Sequence, residues 1–283
     1  MNEGAVAAPP DRLLDLFHGV RLTPTQRRIA HCLVQHAATV AYLSAAEVAE
    51  LAGVSQPSVT RFAVALGHDG YPALRRRLRE LTAVGPDGRP DDDNELQLAV
   101  RAEMANLERL AGELADRDRI ATAGRLLAAS RPLPVLGLRA AGPLAAYFAY
   151  FAAKVLPDVR VLDDGGSLLT DRLEQAASAG ADALLAFVLP RYPRETLDAL
   201  RAARDAGLTV VAITDSPVSP ATEYAELVLP AAVGTDLVFD LHTAPMTLAM
   251  VVLQAICDAA PIQTQRRLEA FESSAARRQL FLD

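Results

Sequence analysis

Gln56, Ser58, Thr60 and Arg61 carry side chains of the kinds that hydrogen-bond base edges and phosphates, and all lie within one short segment. Ser55 precedes them, and Arg75, Arg76, Arg77 and Arg79 follow. Much later, Asp240 and His242 stand two positions apart. Moving a proton between adjacent carbons needs a base such as Glu or His with a suitably placed partner. The pair therefore reads in two ways: an acid–base couple, or a helix-capping Asp beside a His that lines a pocket. The sequence shows no metal-ligand cluster, Walker phosphate loop or nucleophile triad, so neither a metal nor a cofactor is expected.

The elements that must hold the first set are legible. Ser44 followed by Glu47 is a capping box, predicting a helix from Ala45 with Val48, Leu51 and Ala52 on its apolar face. Gly53 ends it, and Ser55 caps a second helix with Pro57 in the first turn, where no amide donor is missed. Val59, Phe62, Ala63 and Leu66 form the buried stripe before Gly67 stops the helix, which leaves Gln56, Ser58, Thr60 and Arg61 facing outward. Two short helices joined by a tight Gly turn predict a helix-turn-helix, whose second member enters the major groove of duplex DNA. An ordinary α-hairpin has the same spacing, but the polar, non-acidic outer face and the arginines after Leu74 favour DNA. Thr23-Pro24-x-Gln26 opens another helix to about His36, with Ile29, Ala30, Leu33 and Val34 placed to pack across the pair. Arg27 and Arg28 on it face either phosphates or solvent. Residues 1–10 are expected to be disordered, and Asp11 to Gly19 to form a short helix with Leu13, Leu14 and Phe17 on one face.

Charge supports this division of labour. The 283-residue chain has a formal net charge of −7, which argues against a nucleic-acid partner for the whole. Yet from Arg21 to Arg79 eight arginines face only Glu47, Glu50 and Asp69, so the acidic excess lies elsewhere, mostly beyond Gly85. No apolar run reaches a membrane span, and the N-terminus lacks the layout of a signal peptide. Cys32 and Cys257 fall in different predicted domains and read as buried free thiols of a cytoplasmic protein.

Gly85–Asn94, with two Pro, two Gly, three consecutive Asp and no apolar residue, reads as a linker. It divides a DNA-binding domain at 1–84 from a ligand-sensing domain with leading and trailing helices at 95–283. A long helix is predicted from Glu95 to Leu114, with Leu96, Val100, Leu107, Leu110 and Leu114 on one face, either pairing with a second subunit or supporting the domains. Beyond Leu133 short apolar runs alternate with helices. Strands are predicted at Pro134–Leu138, Val159–Leu162, Ala183–Leu189, Thr209–Thr214 and Leu227–Leu229. Helices are predicted at Ala141–Leu156, Leu168–Ala177, Arg194–Ala206 and Thr243–Asp258. That alternation specifies an α/β domain, a mostly parallel sheet covered by helices on both faces, with ligands bound at the carboxyl ends of the strands.

The stretch LAGVSQPSVTRFAVALGHDGYPALRRRL, with its Gly70-Tyr71-Pro72 step and Leu74-Arg75, resembles the N-terminal domain of RpiR/MurR-type bacterial transcriptional regulators. PVLGLRAAGPLAAYFAYFAAK and the stretch from Ala181 to Leu229 resemble the sugar-isomerase (SIS) domain that follows it in that family. The resemblance spans about Leu22–Ala83 and Ile120–Ala260. It implies a multi-domain protein, an all-α helix-turn-helix domain followed by an α/β SIS domain. It also implies operator-DNA binding, a homodimer or homotetramer, and phosphosugar sensing rather than catalysis. Family members bind phosphosugars through Ser/Thr-rich turns after the first and third strands. Here Ala141 and Val188 stand where such serines are common, and Arg139 and Arg191 occupy the strand ends. Either each Arg is a surface ion pair, or the two guanidinium forks converge on a small anionic metabolite. The second reading enlists the backbone amides from Ala140 through Ala141 to Gly142, with Ser167, Tyr192, Thr196, Asp215, Ser216 and His242 as further candidates; Asp215-Ser216-Pro217 also reads simply as a turn.

Overall fold

The structure, a computed structural model, describes residues 13–14, 16–17, 20, 22–37, 40, 43–82 and 94–281. The expectations for residues 1–10, for most of the Asp11–Gly19 helix and for the linker up to residue 93 lie outside the described residues. Two compact units are present, the first comprising residues 1–98 and Val218–Pro220 and the second residues 99–217 and 221–283.

In the first unit, α1 (Pro24–Gln35), α2 (Ala45–Leu51), α3 (Gln56–Ala65) and α4 (Tyr71–Thr82) follow in order. Both capping boxes form: Glu47 accepts from the Ser44 amide at 2.7 Å and Gln26 accepts from the Thr23 amide at 2.8 Å, each with its reciprocal bond. Gly53 and Gly67 adopt φ of +61° and +82°, a backbone that a Cβ disfavours, which is why each helix stops there. Ile29, Ala30 and Leu33 from α1 bury with Val48 and Ala49 from α2 and with Val59, Phe62 and Ala63 from α3. Leu51, expected on that face, is 51% exposed: it lies one step round the helix from Val48 and Ala49. α4 closes the core with Tyr71, Leu74 and Leu78. The Tyr71 hydroxyl donates to the Leu43 carbonyl at 3.0 Å, and burial pushes its pKa up to about 12. On α1, burial pushes the His31 imidazole down to about 4, with the nearby His36 adding to the effect.

α5 (Glu95–Glu113) starts in the first unit and continues into the second, where α6 (Arg117–Ala129), β1 (Leu133–Gly137) and α7 (Gly142–Val155) come next. β2 (Val159–Leu162), α8 (Ser167–Ser178), β3 (Ala183–Val188), α9 (Arg194–Asp205), β4 (Thr209–Thr214) and β5 (Leu227–Pro230) follow, then α10 (Thr243–Ala259) and α11 (Pro261–Arg278). Asn94, expected as the last linker residue, instead caps α5, its Oδ1 accepting from the amides of Leu96 and Gln97. The bounds of helices α6 and α11 were not foreseen. Pro261 reads as a helix stop in sequence, but it occupies the first turn of α11, where its missing N–H costs nothing.

All strand pairs run parallel, in the order β2-β1-β3-β4-β5. Alternation sorts the core into two layers. Leu185, Phe187, Val211 and Ile213 pack in one with α7 and α10; Leu184, Ala186, Val210 and Ala212 pack in the other with α8 and α9. The predicted single apolar face of α5 is split: Leu107, Leu110 and Leu114 join the core, whereas Leu96 and Val100 are exposed, as is Met104. No single helix among the described residues is long and apolar enough to cross a membrane.

Candidate functional site

On α3 the stripe that buries Val59, Phe62 and Ala63 leaves Gln56, Thr60 and Arg61 exposed and Ser58 half-buried. Ser55 holds the N-cap position but does not cap an amide with its side chain. Its hydroxyl instead lies 2.8 Å from that of Ser58, and Arg61 Nη2 donates to Ser58 at 3.2 Å. Ser55, Ser58 and Arg61, three residues apart each time, thus form a ladder one helical turn per rung along the outer face. The ladder pre-orients the guanidinium without neutralising it. On α4, which packs against α3, Arg76 is exposed and Arg75 half-buried, while Arg77 pairs with Glu80 at 3.0 Å. Hydrogen bonds from Ser44, and then the charge of Arg75, hold Glu47 below its ordinary carboxylate pKa.

The second unit presents a cavity of about 350 Å³ at the carboxyl ends of β1 and β3. These adjacent strands lead to opposite sides of the sheet, so the cavity sits at the topological switch point, where parallel sheets bind ligands. Arg139, Ala140 and Ala141 line it from a 3₁₀ turn after β1, and Arg191 from the segment after β3. Gly137 permits that turn: a Cβ there would lie 2.5 Å from the Ala141 carbonyl oxygen and 2.7 Å from Ala145 Cβ. Arg139 and Arg191 share an unusual backbone, with φ of +54° and +58°. A non-glycine residue in that region costs about 1–2 kcal/mol, and such strain gathers at ligand sites.

The segment before α10 supplies the remaining wall, including Val238, Phe239, Asp240 and His242. His242, rather than Asp240, holds the N-cap position of α10. Burial lowers its pKa, while the charges of Asp240 and Glu103 act in the opposite sense.

Of the ligand residues expected from sequence, Arg139, Ala140, Ala141, Arg191 and His242 converge on this cavity. Ser167, Tyr192 and Thr196 are not among its lining residues. Ser167 is exposed at the start of α8, and Thr196 is buried on α9. Tyr192 donates to Asp215 Oδ1 at 2.6 Å, an inward bond to a carboxyl whose pKa burial raises. The Ala141 and Gly142 amides, expected to assist an anion, already donate to the Leu138 and Arg139 carbonyls. Sequence reasoning passed over the apolar walls Phe187, Leu189, Val238 and Phe239. Only the exposed apolar run Leu237-Val238-Phe239, in the loop before α10, was a usable signal. Among the described residues no group of His, Cys, Asp and Glu could hold a metal ion.

Residues 17–84 match the helix-turn-helix domain of the rpiR family, and residues 126–264 match the SIS domain. The chain is 29% identical over 207 residues to the HTH-type transcriptional regulator YfhH of Escherichia coli, covering 68% of this chain and 71% of that one. It is 25% identical over 256 residues to the HTH-type transcriptional regulator HexR of Pseudomonas aeruginosa, covering 87% and 86%. Its fold is similar to that of the Vibrio vulnificus NanR protein complexed with ManNAc-6P, at TM-score 0.58 and 18% identity over 96% of this chain and all of that one. It is also similar to the sugar isomerase domain of an RpiR transcription factor from Sphaerobacter thermophilus, at TM-score 0.54 and 22% identity over 62% and 99%. The polar outer face on a helix-turn-helix, followed by a five-stranded parallel sheet with its cavity at the switch point, accords with both matches: the chain belongs to the RpiR family of transcriptional regulators that carry an SIS domain.

Proposed function

We propose that the SIS domain of this regulator senses a small anionic metabolite, a phosphosugar, sugar acid or similar, in the cavity between Arg139 and Arg191, and thereby changes operator binding. One observation carries the reading: two arginines, both in left-handed backbone, line one cavity at the switch point of the sheet. The guanidinium fork matches carboxylate or phosphate oxygens in two-point contacts, so it supplies the anion recognition that Ala141 and Val188 lack. The ManNAc-6P bound by the NanR neighbour is a ligand of this class. The cavity binds its ligand rather than turning it over, and Asp240 and His242 serve as parts of its wall.

DNA recognition is assigned to Ser55, Gln56, Ser58, Thr60 and Arg61, with Arg75 and Arg76 on phosphates. A cytoplasmic homodimer would set two such helices about 34 Å apart on a near-palindromic operator. The exposed apolar row Leu96, Val100 and Met104 on α5 supports association of copies. The domain boundaries we assign are 1–84 and 95–283, joined by a linker whose last residue, Asn94, caps α5.

The test is a thermal-shift screen of phosphosugars, sugar acids and inorganic anions, because a ligand of the native state raises Tm by mass action. A responding anion should lose its effect in the double variant Arg139→Ala, Arg191→Ala. An undiminished response would place the site elsewhere, and isomerisation of a phosphosugar followed by NMR would make the domain an enzyme.

A further inference from the structure

On α5 the Glu103 side chain is only 7% exposed. Its Oε1 accepts from Asn106 Nδ2 at 2.9 Å, while Oε2 is buried and has no hydrogen-bond partner among the described residues. A buried carboxylate oxygen left unbonded is costly, so the structure around it must hold it there. What surrounds it is the loop that walls the cavity. A Cβ added to Gly234 would collide with Glu103 Oε1, so the carboxylate rests directly against the backbone where that loop begins. Gly234 pairs with Leu241 in both directions, at 3.0 and 2.8 Å, which pins the two ends of the loop together. Between and just after them, Val238, Phe239, Asp240 and His242 line the cavity. The Glu103 charge also reaches His242, where it favours the charged imidazole.

One loop therefore touches the candidate ligand on one side and a buried, incompletely bonded carboxylate on the other. That carboxylate stands on the helix that begins at Glu95 and runs through the chain boundary between the units at Leu98. We infer that Glu103 is a positioning residue through which occupancy of the Arg139–Arg191 cavity is passed to helix α5, the start of the route to the DNA-binding domain. The inference rests on the anion-sensing reading of the cavity. An anion there adds negative charge beside His242 and presses on the Val238–His242 wall. Both effects bear on Glu103, whose second oxygen has no bond of its own to resist a shift, and a continuous helix carries that shift along its axis. Asn106, which holds Oε1, accepts from Arg109 Nη2 at 3.5 Å, so a polar row on α5 itself is tied to the same carboxylate.

The experiment is hydrogen exchange on the full-length protein with and without three probes: inorganic phosphate, glucose 6-phosphate and N-acetylmannosamine 6-phosphate. With a binding probe, exchange should slow about fivefold or more at the turns around Arg139–Gly142 and Pro190–Pro193 and also along α5. In Glu103→Gln, which keeps shape and the Asn106 contact but removes the charge, probe affinity and protection of the turns should stay within about twofold. The response of α5 should disappear. Gly234→Ala provides a second variant that displaces the carboxylate without changing the sequence of α5, and it should uncouple α5 in the same way. Protected turns with an unresponsive α5 in the wild type, or an α5 response that persists in both variants, would overturn the inference and leave the cavity reading intact. No protection at either turn with any probe would overturn the cavity reading and this inference with it.

Discussion

Exchanging Arg191 or Arg139 for glycine separates two effects that most substitutions confound. Both residues occupy left-handed backbone, with φ of +58° and +54°, where a side chain costs about 1–2 kcal/mol. Glycine removes that cost but gives back about 0.5–1 kcal/mol through the greater freedom of the unfolded chain. Each Arg→Gly change should therefore stabilise the second unit by about 0.5–1 kcal/mol. For a unit of this size that raises Tm by about 1–4 °C. The same change deletes a guanidinium whose hydrogen bonds to an anion contribute about 1.5–3 kcal/mol, so anion affinity should fall about 10- to 150-fold. Arg→Ala at each position is the control: it loses the guanidinium but keeps the strained backbone, so affinity falls without any gain in Tm. Differential scanning calorimetry with and without the responding anion reads both quantities at once. A glycine variant no more stable than its alanine counterpart would refute the strained backbone. Anion affinity unchanged in the glycine variants would refute the assignment of the arginines.

Two further predictions concern the first unit. Arg61→Ala should weaken binding to an upstream promoter fragment about 10- to 100-fold, as measured by fluorescence anisotropy at fixed salt. Its Tm should not move, because Arg61 is exposed and its hydrogen bond is to the side-chain hydroxyl of Ser58. Unchanged DNA affinity would remove α3 as the reading helix. Acid should destabilise the first unit through His31. Its folded pKa of about 4 lies below the ordinary 6.5, so the unfolded state binds the proton first as pH falls. Stability is therefore full above about pH 6.5, declines toward pH 4 and levels off below, a total of roughly 3 kcal/mol. Urea titrations of wild type and His31→Leu across that window should show a steeper slope in the wild type than in the variant.

The helix-turn-helix was readable because its determinants are local. A capping box, a glycine that tolerates positive φ and a stripe at helical spacing all act within a few residues, so Ser44, Gly53 and Phe62 each mark their own role. The strand–helix alternation was likewise visible, because strands buried on both faces must be continuously apolar. The bounds of helices α6 and α11 escaped, the first for want of a capping box and the second because Pro261 looks the same before a helix as after one. Ser55 was placed correctly at a helix start, but its hydroxyl's choice of Ser58 over a backbone amide is made by side-chain geometry that a motif does not encode.

The candidate cavity divides in the same way. Residue order fixed that Arg139 and Arg191 each follow a strand, since strand ends are set by where the apolar runs stop. That β1 and β3 are neighbours, and that their ends open at the reversal of the strand order, depends on pairing across some fifty residues of chain. Convergence of the two arginines, removal of Tyr192 toward Asp215 and delivery of Glu103 to the loop before α10 are consequences of that pairing and of helix packing. Local sequence determined which chemistry each segment carries. Tertiary structure alone decided which of those chemistries meet, because contact between distant segments is settled by burial of the whole sheet and not by any residue's neighbours in the chain.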